Sequence, residues 1–238
     1  MKLALAALLA CAVTLGACHA AQPDDKAFGE RVRAYLLAHP EVIQEAVDRL
    51  QAKATADEEA AQRQAKADLP RFRQAIERDP RDFAANPAGK ITVTEFYDYR
   101  CPHCINAAPK VVALIRANPD IRFVFKEMPI FGPTSEHAAR AALAVKKSGG
   151  DYVGAYEALM AARPLDIETI DRIARAKGAA AADLKTVPAV DLQLGQTSDL
   201  FNKLNLGGTP AFIVGDEIVY GEDMEALATA IAKTRAGG

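Results

Sequence analysis

The chain has 238 residues, half of them hydrophobic and a quarter charged, an ordinary balance for a soluble globular protein. Its 29 Lys and Arg against 31 Asp and Glu leave a net charge of −2, and no basic cluster approaches the density that a polyanion requires. Nucleic acid is therefore excluded as a partner. The first residues read Met1-Lys2, an apolar run from Leu3 to Leu15, then Gly16-Ala17-Cys18-His19-Ala20-Ala21. A basic start, a short apolar core and small residues after it predict a secretory signal over residues 1–20. The run is too short to cross roughly 30 Å of hydrocarbon, which argues against a spanning helix.

Leu15-Gly16-Ala17-Cys18 also has the pattern of a bacterial lipobox, in which an acylated Cys18 becomes the mature N-terminus; simple cleavage after Ala20 is the alternative. Both predict export to the periplasm, the first with a membrane anchor. Either way Cys11 leaves with the leader, and Cys18 is removed or carries the lipid. Of the four cysteines, only Cys101 and Cys104 then remain as thiols in an oxidising compartment. Two are too few to staple a small secreted scaffold, so the pair is there for chemistry.

Residues 21–80 predict an N-terminal helical segment. Phe28, Val32, Tyr35 and Leu36 have helical spacing, His39-Pro40 interrupts it, and Val42, Ile43, Ala46, Val47 and Leu50 resume it. From Gln51 to Asp68 helix formers dominate, with almost no large apolar side chain to bury. The segment reads as a stalk whose apolar part packs against other copies, making the protein a homo-oligomer; a helix folded back on its own domain is the alternative.

Asp79-Pro80 through Gly89 reads as a linker. Ile91 to Tyr99 is β-branched and aromatic and predicts a strand, a helix starts at Cys101, and Ile121 to Phe125 predicts a second, parallel strand. Residues 134–206 read as a helical insertion broken at Gly149-Gly150, Pro164, Gly178 and Pro188. Ala211 to Val214 and Ile218 to Tyr220 flank a short turn as a hairpin, and a helix from Met224 closes the chain. A βαβ unit, a helical insertion and a ββα unit follow in order over residues 88–238.

Cys101-Pro102-His103-Cys104 at a helix start suits a redox dithiol. Two intervening residues let the sulfurs approach to about 2 Å, and Pro102 fits the first helical position, where no backbone donor is missed. Cys101 then caps the helix, its sulfur facing unpaired N–H groups, with Cys104 one turn further on. A helix N-terminus contributes about 0.3–1 kcal/mol, at most roughly 2, too little to make a strongly acidic thiol. His103 is expected to supply the remainder. A zinc site needs four ligands, and no second Cys/His pair occurs; His39 and His137 stand alone in helical segments. No metal and no cofactor is predicted beyond the Cys101–Cys104 disulfide itself.

The run Glu95-Phe-Tyr-Asp-Tyr-Arg-Cys-Pro-His-Cys104, with Gly208-Thr-Pro-Ala-Phe-Ile-Val214 downstream, resembles the DsbA family of periplasmic thiol oxidoreductases. Asn86-Pro87 and Phe125-Lys-Glu-Met-Pro-Ile130 resemble its Com1-like and ScsC-like branch, and Phe28 to Leu50 is similar to the N-terminal module through which ScsC proteins, copper-tolerance disulfide isomerases, oligomerise. The resemblance implies an α/β thioredoxin-like fold with a helical insertion. It also implies that Pro210 is a cis-proline facing the cysteines, with the Thr209 backbone left to pair with a substrate strand. Glu95, six residues before Cys101, matches the family's buried acid, and alternation puts it with Ile91, Val93 and Tyr97. A buried carboxylate there could move the Cys104 proton, with Lys126 at the end of the next strand as its partner; a strand-edge glutamate is the alternative.

The function that follows is thiol–disulfide exchange on exported proteins. Thr209 and the oligomerising helices favour, by resemblance, an isomerase or reductase kept reduced by a membrane redox partner. His103 between the cysteines favours a dithiol oxidase. A copper- or zinc-handling protein using the same thiols is the alternative of another class.

Overall fold

The computed structural model describes residues 25–184 and 187–237. The expected leader, with Cys11 and Cys18, lies outside the described residues. The chain forms two compact units that part inside one helix, between Thr55 and Ala56.

The first unit holds helix α1 (Asp25–Ala38) and the opening turns of helix α2 (Glu41–Glu77), with His39-Pro40 as the break that the sequence predicts. Phe28, Val32, Ile43, Val47 and Leu50 are 39–68% exposed, and Leu36 is partly covered.

The second unit is built on a five-stranded sheet in the order β1-β3-β2-β4-β5. Its strands are β1 (Phe83–Ala85), β2 (Ile91–Tyr97), β3 (Ile121–Glu127), β4 (Ala211–Val214) and β5 (Glu217–Tyr220). β2 and β3 are parallel and joined by helix α3 (Pro102–Ala117), while β1, β4 and β5 are antiparallel to their neighbours. The described residues of the expected insertion form helices α4 (Pro133–Lys147), α5 (Tyr152–Ala161), α6 (Ile167–Ala176) and α7 (Pro188–Lys203), and α8 (Met224–Gly237) closes the chain. Asp151 and Asp166 cap α5 and α6 by accepting from Gly154 N and Thr169 N, each at 2.8 Å. Gly150 is required by close approach. A Cβ there would lie 2.2 Å from the Lys177 carbonyl oxygen, where the turn after α4 meets the turn after α6.

Each face of the sheet has its own core. Val93, Tyr97, Phe123, Phe125, Phe212 and Val214 meet α3, α4, α5 and α8 on one side. Phe96, Ala211, Ile213 and Ile218 meet α7 and the second half of α2 on the other. Here the structure departs from the expected segment boundary at residue 80. Ala65, Leu69 and Ile76 are almost fully buried, and Phe72 packs with them, a stripe at helical spacing. The sheet also caps the helix end: Thr94 Oγ1 donates to Ile76 O (3.2 Å), Lys126 Nζ to Ala75 O (2.6 Å) and Arg122 to Glu77 O (2.5 Å). Residues 56–77 are thus part of the second unit.

The expected linker over 79–89 contains β1. This strand is only three residues long, lies at the sheet edge against Phe123–Phe125 and is hemmed in by Pro80 and Pro87, so its own pattern carries little signal. Removing residues 25–55 should leave a cooperatively unfolding domain, whereas removing residues 25–77 should expose Phe96, Phe201 and Leu204 and abolish the cooperative urea transition. Leu69→Ala should cost about 2–5 kcal/mol in the same urea titration.

Candidate active site

Cys101 takes extended backbone angles (φ −69°, ψ 120°) and caps α3, with Pro102 at the first helical position. Both cysteines are buried, Cys104 completely, and both are free thiols. The turn that delivers them is held by Asp98, a buried residue whose carboxylate accepts from Arg100 N (2.6 Å), Ile130 N (2.6 Å), Phe131 N (3.0 Å) and Ser135 Oγ (2.8 Å). Four donors on one carboxylate tie the loop before Cys101 to the loop after β3.

Across from the thiols, the Thr209–Pro210 bond is cis, as the resemblance implies. Cys101 Sγ lies 3.1 Å from the Thr209 carbonyl oxygen, to which the protonated thiol donates. The Thr209 hydroxyl is buried and makes no hydrogen bond. The Cys101 thiol is brought down from about 9 to about 5: the Cys104 thiol donates to its sulfur, and Thr209 and the backbone N–H groups of Cys104 and His103 act in the same direction, against the cost of burial. Cys104 moves the other way, pushed up by burial, by its donation to Cys101 and by the negative charge of Glu95. One thiolate and one retained proton is the arrangement that directed exchange requires.

His103 acts differently from the expectation. Its side chain is 64% exposed and its Nδ1 lies 3.2 Å from Glu222 Oε1; what reaches the Cys101 sulfur from His103 is its backbone N–H. The helix start therefore carries more of the thiolate stabilisation than the histidine ring does.

Glu95 does point inward. It is fully buried, and Tyr156 OH lies 3.3 Å from each of its oxygens. Burial holds its carboxyl up at about 8, Tyr156 opposes this, and Glu127 adds to it. Lys126 is not its partner. The β2–β3 register pairs Glu95 with Phe125 and Phe96 with Lys126, so Lys126 lies on the opposite face of the sheet. There it is ion-paired to Asp82 and donates to Ala75 O, tying β3 to α2.

The residue that shares Glu95's face is Glu127, which the sequence reading missed. Its Oε1 accepts from Tyr152 OH (2.5 Å), Tyr97 OH (2.7 Å) and Tyr99 OH (3.4 Å), and burial holds its carboxyl at about 8 as well. Two-residue alternation along Phe125-Lys126-Glu127 is the signal that could have found it. Among the described residues no three His, Cys, Asp or Glu side chains group to hold a metal, and no helix is long and apolar enough to cross a membrane.

Residues 92–232 match the family model of the DSBA-like thioredoxin domain, and residues 24–56 match that of the copper resistance protein ScsC N-terminal domain. A thioredoxin-like oxidoreductase from Silicibacter pomeroyi DSS-3 is 36% identical, with 69% of this chain and 98% of that one covered and a TM-score of 0.63. Proteus mirabilis ScsC in a transitional conformation is 26% identical over 90% of this chain and 98% of that one, with a TM-score of 0.67. The Na(+)/H(+) antiporter NhaA 3 of Salinispora tropica is 28% identical over 174 residues, 64% of this chain. The chain spans about a quarter of the length of such curated relatives.

Three measurements test this site. Iodoacetamide near pH 6 should alkylate Cys101 and leave Cys104 unlabelled in the reduced protein. Because folding lowers the Cys101 pKa from about 9 to about 5, the unfolded chain binds the extra proton between those values. The stability of the reduced form relative to the disulfide form should therefore rise as pH goes from 5 to 9 and stay flat below 5, in paired urea titrations. Glu95→Gln should remove the inflection near pH 8 from the rate of dithiol oxidation while leaving the pH dependence of Cys101 alkylation nearly unchanged.

Proposed function

Because the chain belongs to the DSBA-like thioredoxin domain family, we propose that it exchanges thiols and disulfides with exported polypeptides in the periplasm, through Cys101 and Cys104. The observation that carries this reading is the opposed pair: an acidic Cys101 at the start of α3, facing Thr209 and Pro210, and a buried Cys104 that keeps its proton.

In the reducing direction the Cys101 thiolate attacks a substrate disulfide, forming a mixed disulfide and releasing one substrate thiolate. Cys104 then transfers its proton to Glu95 and attacks the Cys101 sulfur. This closes the Cys101–Cys104 disulfide and releases the second substrate thiolate, and the two released sulfurs take protons from solvent. Isomerisation stops earlier: a second substrate thiol attacks the mixed disulfide, and Cys101 leaves unchanged. Oxidation is the reverse of the full sequence. The Thr209 backbone lies just outside the β2–β4 ladder, which ends at Phe96↔Ala211, and is the edge on which an extended substrate would pair.

The isomerase or reductase reading is favoured by the first unit. Its exposed stripe of Phe28, Val32, Ile43, Val47 and Leu50 falls inside the residues that match the ScsC N-terminal model. We take its occupant to be the same stripe on further copies of this chain, so that several Cys101 sites serve one misfolded substrate. A membrane electron donor would keep the pair reduced. The oxidase reading draws on the low Cys101 pKa, since a stabilised thiolate makes the disulfide the stronger oxidant. Light scattering and a scrambled-ribonuclease assay on the full protein and on one lacking residues 25–55 separate the two. An isomerase should lose its oligomeric mass and its reshuffling activity together, while keeping single-disulfide exchange with a small peptide. A monomeric full-length protein would return the assignment to the oxidase. Metal titration of the reduced protein tests copper or zinc handling.

A further inference from the structure

The loop bearing Thr209 and Pro210 opens on its far side into a groove of about 480 Å³. Its floor and loop wall are Leu206, Gly207, Gly208, Thr209, Pro210 and Gly221; Tyr220 lines it from β5, and Glu58, Ala61 and Gln62 of α2 close the opposite side. Gly207 and Gly208 have open space where a side chain would be, which leaves the loop edge bare. The groove shares Thr209 with the active site, since the Thr209 carbonyl oxygen is 3.1 Å from Cys101 Sγ. A polypeptide bonded to Cys101 and running along Thr209 can extend into it.

The lining is apolar or neutral with one exception. Glu58 is the only charged residue in it. It lies on the exposed surface of α2, accepts only from the Gln62 amide at 3.3 Å, and has no cation partner among the described residues. Its charge is felt by Tyr220, whose hydroxyl is enclosed without a partner and whose pKa is raised first by burial and then by Glu58. An unpaired carboxylate beside an aromatic ring is a receptor for a cationic side chain, which gains a charge-assisted hydrogen bond from one and a cation–π contact from the other.

We propose that this groove is a substrate subsite in which Glu58 and the Tyr220 ring select an arginine or lysine close in sequence to the substrate cysteine. The proposal deepens the exchange reading and rests on it. The catalytic unit would then prefer basic over acidic sequence around a disulfide, with the preference set by α2 rather than by the residues between the cysteines.

The test uses the full chain, reduced, and three peptides carrying one cysteine capped with thionitrobenzoate, flanked three residues to either side by arginine, alanine or glutamate. Hydroxyethyl disulfide serves as a small neutral reference. A cation–π contact together with an exposed ion pair predicts a rate ratio of about tenfold for the arginine over the glutamate peptide at low salt. Glu58→Gln should cut that ratio to the few-fold left by the Tyr220 ring and Glu58→Lys should abolish or invert it, both leaving the hydroxyethyl disulfide rate unchanged; as exposed helix-surface changes they leave folding intact. Tyr220→Leu should reduce the ratio while Tyr220→Phe preserves it. An unchanged arginine preference in Glu58→Gln, or no preference in the native protein, would overturn the subsite and leave the exchange reading standing. A native protein whose Cys101 reacts with none of the four disulfides would overturn the exchange reading itself.

Discussion

The pairing of β2 with β3 decides what the active site can contain. Side chains alternate between the faces of a sheet, so placing Glu95 beside Phe125 and Phe96 beside Lys126 settles two environments at once. On one face Glu95, Tyr97, Phe125 and Glu127 lie beneath α3 and the helical insertion, in the core that holds Cys104. On the other, Lys126 reaches across to Asp82 and to the end of α2. A slip of β3 by one residue would bring Lys126 beneath the thiols and leave Glu127 against α2. The parallel register thus separates the group that tethers a helix from the groups that set the acidity behind the disulfide.

Two buried carboxyls on one face carry a cost, which the tyrosines moderate. Glu127 collects three tyrosine hydroxyls and Glu95 one, so neither acid is left without donors in the apolar interior. Burial still dominates and keeps both near pH 8. A carboxyl with that affinity for protons can take one from a buried thiol without holding a permanent charge nearby, which a carboxylate of ordinary acidity could not do.

Much of this was legible in the sequence because local rules sufficed. The Cys101-Pro102 helix start, the breaks at Gly149-Gly150 and Pro164 and the Gly215-Asp216 turn each follow from the backbone preferences of a few residues. The inward turn of Glu95 follows from alternation. What could not be read depended on pairing between distant segments. Lys126 was matched to the wrong acid because its partner is fixed by the β3 register and by Asp82, which precedes β1. The end of α2 looked like a solvated stalk because Leu69, Phe72 and Ile76 lie beyond a polar run whose composition gives no hint of the sheet that covers them. Glu127 was passed over because its tyrosine partners come from β2, the residues just after it and α5.

His103 stands between two buried sulfurs yet is itself mostly in solvent, held by no more than a contact to Glu222. Position 103 is therefore structurally cheap to change while remaining next to the reacting atoms. Natural variation can explore it without first compensating a loss of fold. The Asp98 clamp, anchored by two loops at once, has no such freedom. The architecture sets an exposed, lightly held side chain beside a fixed mount, so the residue next to the sulfurs can change while the turn that presents them does not.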